Sequence, residues 1–114
     1  MDPVIRNYRD VETGGEGETS TRLIGPDDAP PNNVLLYLVI PPGGTSTRHT
    51  HAWEHSAYII EGTGILSCSG KEFPLKAGDA VLIPPQEDHQ ILNTGTGPLV
   101  RIAVNPLSST EPRT

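Results

Sequence analysis

All four histidines of the chain lie in two short segments, and their type and spacing suit metal binding. His49, His51 and His55 stand close together, and His89 follows more than thirty residues later. Because residues i and i+2 of a strand point to one face, His49 and His51 can present both imidazoles on the same side. A bend after His51 would let His55 face the same ion, and His89 can close the site from a neighbouring element. Imidazole suits zinc, copper, iron and nickel, so the pattern predicts one divalent transition-metal site.

The sequence around the histidines predicts short strands and no helices. Gly and Pro each occur 12 times without a repeat period, so they mark turns. The apolar residues between them form short β-branched runs without helical spacing. The expected strands cover residues 20–24, 34–40, 47–51, 55–61, 64–69, 79–84, 89–93 and 99–104, with 72–75 as a weaker candidate. This spacing indicates an all-β sandwich or barrel.

The length of 114 residues suits a single domain that covers residues 1–114. Its barrel core is expected over about residues 20–106. The glycine-rich stretch 11–19 is expected to form a loop or a flexible N-terminal arm, and residues 108–114 a loose C-terminal tail.

Charge and cysteine content restrict the partners and the compartment. The formal net charge is −6, and no cluster of Lys or Arg occurs, which argues against nucleic acid and anionic membranes. The single cysteine, Cys68, rules out an intramolecular disulfide framework and fits a reducing compartment. Neither a signal peptide nor an apolar run of membrane-spanning length is evident, so a cytoplasmic protein is expected.

The first histidine segment resembles the first motif of the cupin superfamily. That motif reads G-x5-H-x-H-x(3,4)-E-x6-G. In this chain, Gly43 is followed after five residues by the pair His49 and His51, and Gly62 closes the motif. The glutamate position is taken by His55, with six residues between it and Gly62.

The second histidine segment resembles the second cupin motif, which reads G-x5-P-x-G-x2-H-x3-N. Gly78 and Pro84 stand at the required distance, and His89 and Asn93 follow with matching spacing. The motif's inner glycine is replaced by Gln86, a turn position without an evident chemical role.

The resemblance spans about residues 34–105 and implies a fold and a ligand set. The fold is an all-β, single-domain cupin, an antiparallel double-stranded β-helix or jelly-roll barrel. Glu54 stands beside His55 but leaves seven residues before Gly62 instead of six, so His55 is the preferred ligand. The implied metal ligands are His49, His51, His55 and His89.

The segment from His49 to His55 is similar to small four-histidine cupins, some of which carry manganese and form dimers, and to cupin-type polyketide cyclases. The resemblance implies one divalent metal per chain (Mn, Fe, Zn, Ni or Cu, with Mn or Fe favoured) and a homodimer. Pairing between chains would also cover the exposed sheet edges of a small barrel. Tyr37 and Tyr58, by their parity, are expected on the outer face or at the dimer interface.

Three residues near the histidines each allow two interpretations. Arg101 is a lone cation in the apolar strand 99–104, and the resemblance places it on the inner face, where it could hold a substrate carboxylate. The alternative is an arginine that points to solvent from an edge strand. Trp53 either covers the site or packs against a partner chain. Glu54 either accepts a hydrogen bond from an imidazole or is solvated.

Four neutral imidazoles would leave a divalent ion with a net charge of about +2, compared with about +1 for three histidines and a glutamate. Such an ion attracts anionic or enolate ligands, and an octahedral ion keeps two open positions. The two open positions favour a dioxygenase-like enzyme acting on a small organic substrate, which can be an anion, whereas the +2 charge suits a non-redox enzyme. A non-redox cyclase, isomerase or lyase, and a binding module without turnover, remain alternatives, because the fold does not decide among them.

Overall fold

The computed structural model describes residues 2–15 and 17–110. Its eight strands are β1 (Thr19–Ile24), β2 (Asn33–Ile40), β3 (His55–Glu61), β4 (Thr63–Cys68), β5 (Lys71–Lys76), β6 (Ala80–Ile83), β7 (His89–Asn93) and β8 (Leu99–Pro106). They form two antiparallel sheets, with the strand orders β1-β2-β8-β3-β6 and β5-β4-β7. Three short 3-10 turns complete the described part of the chain, at Tyr8–Asp10, Pro26–Asp28 and Leu107–Thr110. The all-β fold expected from the turn signals and the strand lengths is confirmed.

The described residues include no helix with the length and apolar character that crossing a membrane requires.

The strand expected over residues 47–51 is wrong. Instead of a continuous ladder, the stretch from Thr45 to His49 forms two isolated bridges with β7, Thr45–Leu92 and His49–His89. Between the bridges, the backbone N–H of Ser46 donates to the carbonyl of Ile91 (2.8 Å), and the Ser46 hydroxyl accepts from the Ile91 N–H (2.8 Å). Because a side chain takes the place of a backbone acceptor, the register shifts by one residue and a regular ladder cannot continue.

The core lies between the two sheets, because buried apolar side chains from both pack together. They are Ile40, Ile59, Leu66, Leu75, Ile83, Ile91 and Leu99. In β3, Ile59 is fully buried, whereas its neighbours Tyr58 and Ile60 are 52% and 43% exposed. This alternation is the signature of a strand with one face on the core. It directs His55, which has the parity of Ile59, toward the interior.

Asn93, the last residue of the second motif, has a structural role. Its side chain is buried, and its amide donates to the carbonyls of Ile40 and Gly97, both at 2.9 Å. Its Oδ1 accepts from the Gly95 N–H at 2.9 Å. The side chain therefore joins the end of β7 to β2 and closes the turn that leads to β8.

The turn between β3 and β4 requires glycine at position 62. Gly62 has φ +95°, and a Cβ atom there would lie 2.5 Å from the Pro98 carbonyl oxygen. We expect Gly62→Ala to lower the free energy of unfolding by about 1–3 kcal/mol, through backbone strain and overpacking.

Urea unfolding of the Gly62 variant would measure this cost. The matched control is Gly97→Ala, because a Cβ at Gly97 meets no atom within 4 Å, and its effect should stay within about 1 kcal/mol. Equal unfolding midpoints for the two variants would show that position 62 tolerates a Cβ atom without loss of stability.

Candidate metal centre

Three of the four histidines converge on one point. His49, His51 and His89 each offer one ring nitrogen, and these three nitrogens lie within 4.8 Å of one another. His51 and His89 are buried, and His49 is exposed. Backbone hydrogen bonds between His49 and His89, at 3.0 and 2.9 Å in the two directions, hold these residues side by side. The segment before β3 and the start of β7 thus carry the cluster together.

His55, the fourth expected ligand, lies beside this cluster, but the three converging nitrogens belong to the other histidines. Its Nε2 is 2.6 Å from Nε2 of His51. Two nitrogens bound at right angles to one ion at about 2.1 Å would be separated by about 3 Å. The separation of His51 and His55 is close to that value, so a small rotation of either ring would accommodate an ion between them. Ligation by all four histidines stays a prediction.

Hydrogen bonds determine which ring nitrogens can bind a metal. Nδ1 of His89 lies 2.9 Å from the Glu87 backbone carbonyl, which can only accept, so this nitrogen carries the proton. Nδ1 of His55 donates in the same way to the Asn105 side-chain oxygen at 2.7 Å. Both contacts leave the lone pair on Nε2, and contacts of this kind orient imidazole ligands in metal sites.

Burial lowers the pKa of His55 to about 4, and repulsion from His51, His89 and His49 acts in the same direction. The hydrogen bond to Asn105 opposes the shift but is outweighed by burial. His55 is therefore neutral above about pH 4, which is the form that a metal ligand requires. The donor set fits a divalent transition metal of borderline softness.

Trp53 contacts the site, as one of its two expected roles requires. Its ring stacks on the His51 imidazole with centroids 4.4 Å apart and an interplanar angle of 10°. Its Nε1 is buried and has no hydrogen-bond partner among the described residues. Trp53 therefore holds the His51 ring by packing. Glu54, the alternative ligand, is exposed.

A cavity of about 250 Å³ opens between the sheets beside the cluster. His49, His55 and His89 line one part of it. Most of the remaining wall is apolar and comes from strands of both sheets, including Leu36, Leu38, Ile59, Ile83, Ile91 and Ala103. A metal held by the histidines would thus face a largely apolar space able to hold a small organic molecule.

Arg101 lies on the inner wall of this cavity and is only 9% exposed. Its Nη1 donates to Oε2 of Glu18 at 2.6 Å. Its role as a clamp for a substrate anion stays a prediction.

Sequence reasoning missed Glu18 and Asn105 as residues of the site. Asn105 could have been found from its parity, because it follows Arg101 by four residues on β8. For Glu18 the signal was weaker, since only the glycines at 14, 15 and 17 indicated a tight turn before β1.

Comparison with known proteins agrees with this geometry. A model of the cupin domain matches residues 36–105. An oxalate-binding protein of Thermotoga maritima is 35% identical over 94 residues, which cover 80% of this chain and 78% of that protein. The structure of the polyketide cyclase RemF from Streptomyces resistomycificus is 27% identical with a TM-score of 0.81, covering 94% of this chain and 80% of that chain. A cupin 2 domain-containing protein from Halorhodospira halophila is 28% identical with a TM-score of 0.76, covering 80% and 65%.

Proposed function

The chain belongs to the cupin family, and from this premise we propose that it is a metal-dependent enzyme acting on a small organic molecule in the apolar cavity. The observation that supports this most is the shared cavity, in which His49, His55 and His89 line the same space as apolar side chains. A site with a few convergent polar groups in an apolar pocket is the usual arrangement for binding a small molecule.

The four histidines would hold one divalent ion, with Mn or Fe favoured. Nε2 of His55 and Nε2 of His89 are oriented for this by the contacts to Asn105 and Glu87. Once bound, the ion would supply Lewis acidity and, as iron, manganese or copper, redox chemistry. The apolar walls favour a substrate that is apolar beyond the polar head that would lie at the histidines.

The favoured reaction class is that of a dioxygenase-like oxidoreductase. The enzyme loaded with Fe(II) or Mn(II) is expected to consume dioxygen in the presence of candidate β-diketones, phenols or thiols. The Zn(II)-loaded protein and a His89→Ala variant should not consume it. Oxygen uptake measured with an electrode tests this, and equal uptake with zinc would contradict redox catalysis.

A cyclase or isomerase is the second candidate, favoured by the likeness to the polyketide cyclase RemF over 94% of this chain. In that case zinc or nickel would support turnover of an enolisable carbonyl compound without oxygen uptake. Binding of such a compound without conversion under any metal would instead indicate a binding module. The name of the Thermotoga relative, an oxalate-binding protein, is consistent with that third outcome.

We also propose that the protein is a homodimer that pairs through the outer face of the five-stranded sheet. This face exposes Tyr58 (52%), Leu82 (61%) and Val104 (39%). Leu82 and Val104 flank Ser56 on its two sides, because both pair in register with it, and Tyr58 follows Ser56 by two residues on the same face of β3. Uncovered apolar side chains grouped in this way are typical of contact surfaces between proteins.

Sedimentation tests the homodimer. The wild-type protein should sediment as a dimer at micromolar concentration, and Leu82→Glu should sediment as a monomer because a buried carboxylate would be unpaired at the interface. Phe73→Glu is the control, since Phe73 is 46% exposed but lies on β5 of the other sheet. A monomeric wild-type protein would contradict the proposal.

A further inference from the structure

The cavity contains an ion pair within the chain, between Arg101 and Glu18. The two side chains are only 11% and 19% exposed, and Nη1 of Arg101 lies 2.6 Å from Oε2 of Glu18. Both residues line the same cavity as the histidines. A buried guanidinium is costly without an anion beside it, and here the chain itself supplies the anion.

The turn that carries Glu18 has a defined geometry. Gly14 and Ser20, the second residue of β1, exchange two backbone hydrogen bonds, at 3.0 and 2.8 Å. Gly15 has φ +106°, and a Cβ atom there would lie 2.5 Å from the Glu18 carbonyl oxygen. Glu18 is thus held at the cavity by main-chain contacts as well as by the ion pair.

The ion pair and the histidines occupy different regions of the cavity. Arg101, Ala103 and Asn105 alternate along the inner face of β8, and Asn105 holds His55. Arg101 and Asn105 are four positions apart on the strand, which separates their Cα atoms by about 13 Å. Between them Ala103 pairs with Leu36 on one side and Ala57 on the other, so the intervening wall is apolar.

We propose that Glu18 is a specificity-determining residue. Its carboxylate takes the place beside Arg101 that an anionic group of a ligand would otherwise occupy. The part of the ligand that lies away from the histidines must therefore be uncharged and apolar. A ligand carboxylate at that end would have to displace Glu18, which would leave a second buried carboxylate without its partner. Arg101 then acts as a clamp for a ligand anion only in a chain that lacks the Glu18 charge. The inference rests on the proposed function only in assuming that the ligand's polar head lies at the histidines.

The experiment compares two ligands of the same shape, 4-fluorobenzoate and 4-fluorobenzamide, by fluorine NMR titration at pH 8. Metal-free wild-type protein is expected to prefer the amide. Glu18→Gln should bind the benzoate about tenfold or more tightly than wild type does, because the freed guanidinium gains a charged hydrogen bond. Binding of the amide should change by less than about threefold, since it brings no charge.

Each titration is run on the protein as purified and again after treatment with a chelator. If the gain for benzoate persists without metal, the anion binds at Arg101, whether or not the metal-dependent function holds. If the gain occurs only with metal present, the benzoate binds the metal and the inference is overturned. If the protein binds no metal, the proposed function is contradicted, but the benzoate titration still tests whether Arg101 binds the anion.

Three variants complete the test. Glu72→Gln removes one negative charge from an exposed position on β5 and should leave the benzoate affinity unchanged. Glu18→Gln combined with Arg101→Met should lose the gain, because the guanidinium is absent. Glu18→Ala repeats the test with a shorter side chain, in case glutamine still contacts Arg101. Unchanged benzoate affinity in both Glu18 variants, with the fold intact by circular dichroism, would overturn the inference.

Discussion

Replacing His51 with alanine is expected to lower the affinity for the divalent metal by more than about a hundredfold, which exceeds the usual loss for groups that only support a ligand. His51 is the central member of the site: it belongs to the three-nitrogen cluster, and its Nε2 lies 2.6 Å from that of His55. It is also buried and stacked on Trp53 at 4.4 Å. Competition with a chromophoric chelator would measure the affinity of each variant.

The control for His51 is Glu54→Ala. Glu54 is the carboxylate next to the glutamate position of the cupin motif, which His55 occupies here, and it is exposed. Its replacement should leave the metal affinity within about threefold of wild type, in the range of a modest surface effect. If Glu54→Ala released the metal while His55→Ala retained it, the four-histidine assignment would be wrong.

Metal removal is expected to destabilise the fold strongly. The histidines come from three places in the chain: the irregular segment after β2, the start of β3 and the start of β7. An ion that binds only the folded state, at a free concentration a thousand times its dissociation constant, adds about 4 kcal/mol of stability. For a domain of this size we expect the midpoint of thermal unfolding to fall by about 10–20 °C when a chelator is added.

Calorimetry with and without chelator tests this. The His51→Ala variant serves as the control, because a hundredfold weaker site would leave it less than about half of the stabilisation that wild type gains from the same metal concentration. A wild-type midpoint that is independent of metal would show that the ion, if it binds, does not connect the three segments.

The inward placement of His55 and Arg101 was predictable. A bend after His51 predicted that His55 faces the other histidines, and the cupin resemblance placed Arg101 on the inner face, which the alternating burial along β3 and β8 bears out. The motif spacing likewise predicted a close approach of His89 to the first histidine segment, which the bridge between His49 and His89 confirms.

Other contacts had no local signal. The partner of Arg101 is Glu18, 83 residues away, and it reaches the cavity from a turn that sequence reasoning treated as a loop or flexible arm. The expected strand at residues 47–51 was wrong because the Ser46 hydroxyl takes the place of a backbone acceptor, and alternation of side chains cannot reveal such a substitution.

The central claim is that four histidines bind one divalent ion. The most direct measurement is anomalous diffraction from crystals of the protein loaded with Mn(II). The four-histidine site predicts a single peak within about 2.0–2.3 Å of one ring nitrogen of each of His49, His51, His55 and His89. A peak bound by Glu54 with His55 turned away, or no peak at the cluster, would contradict it.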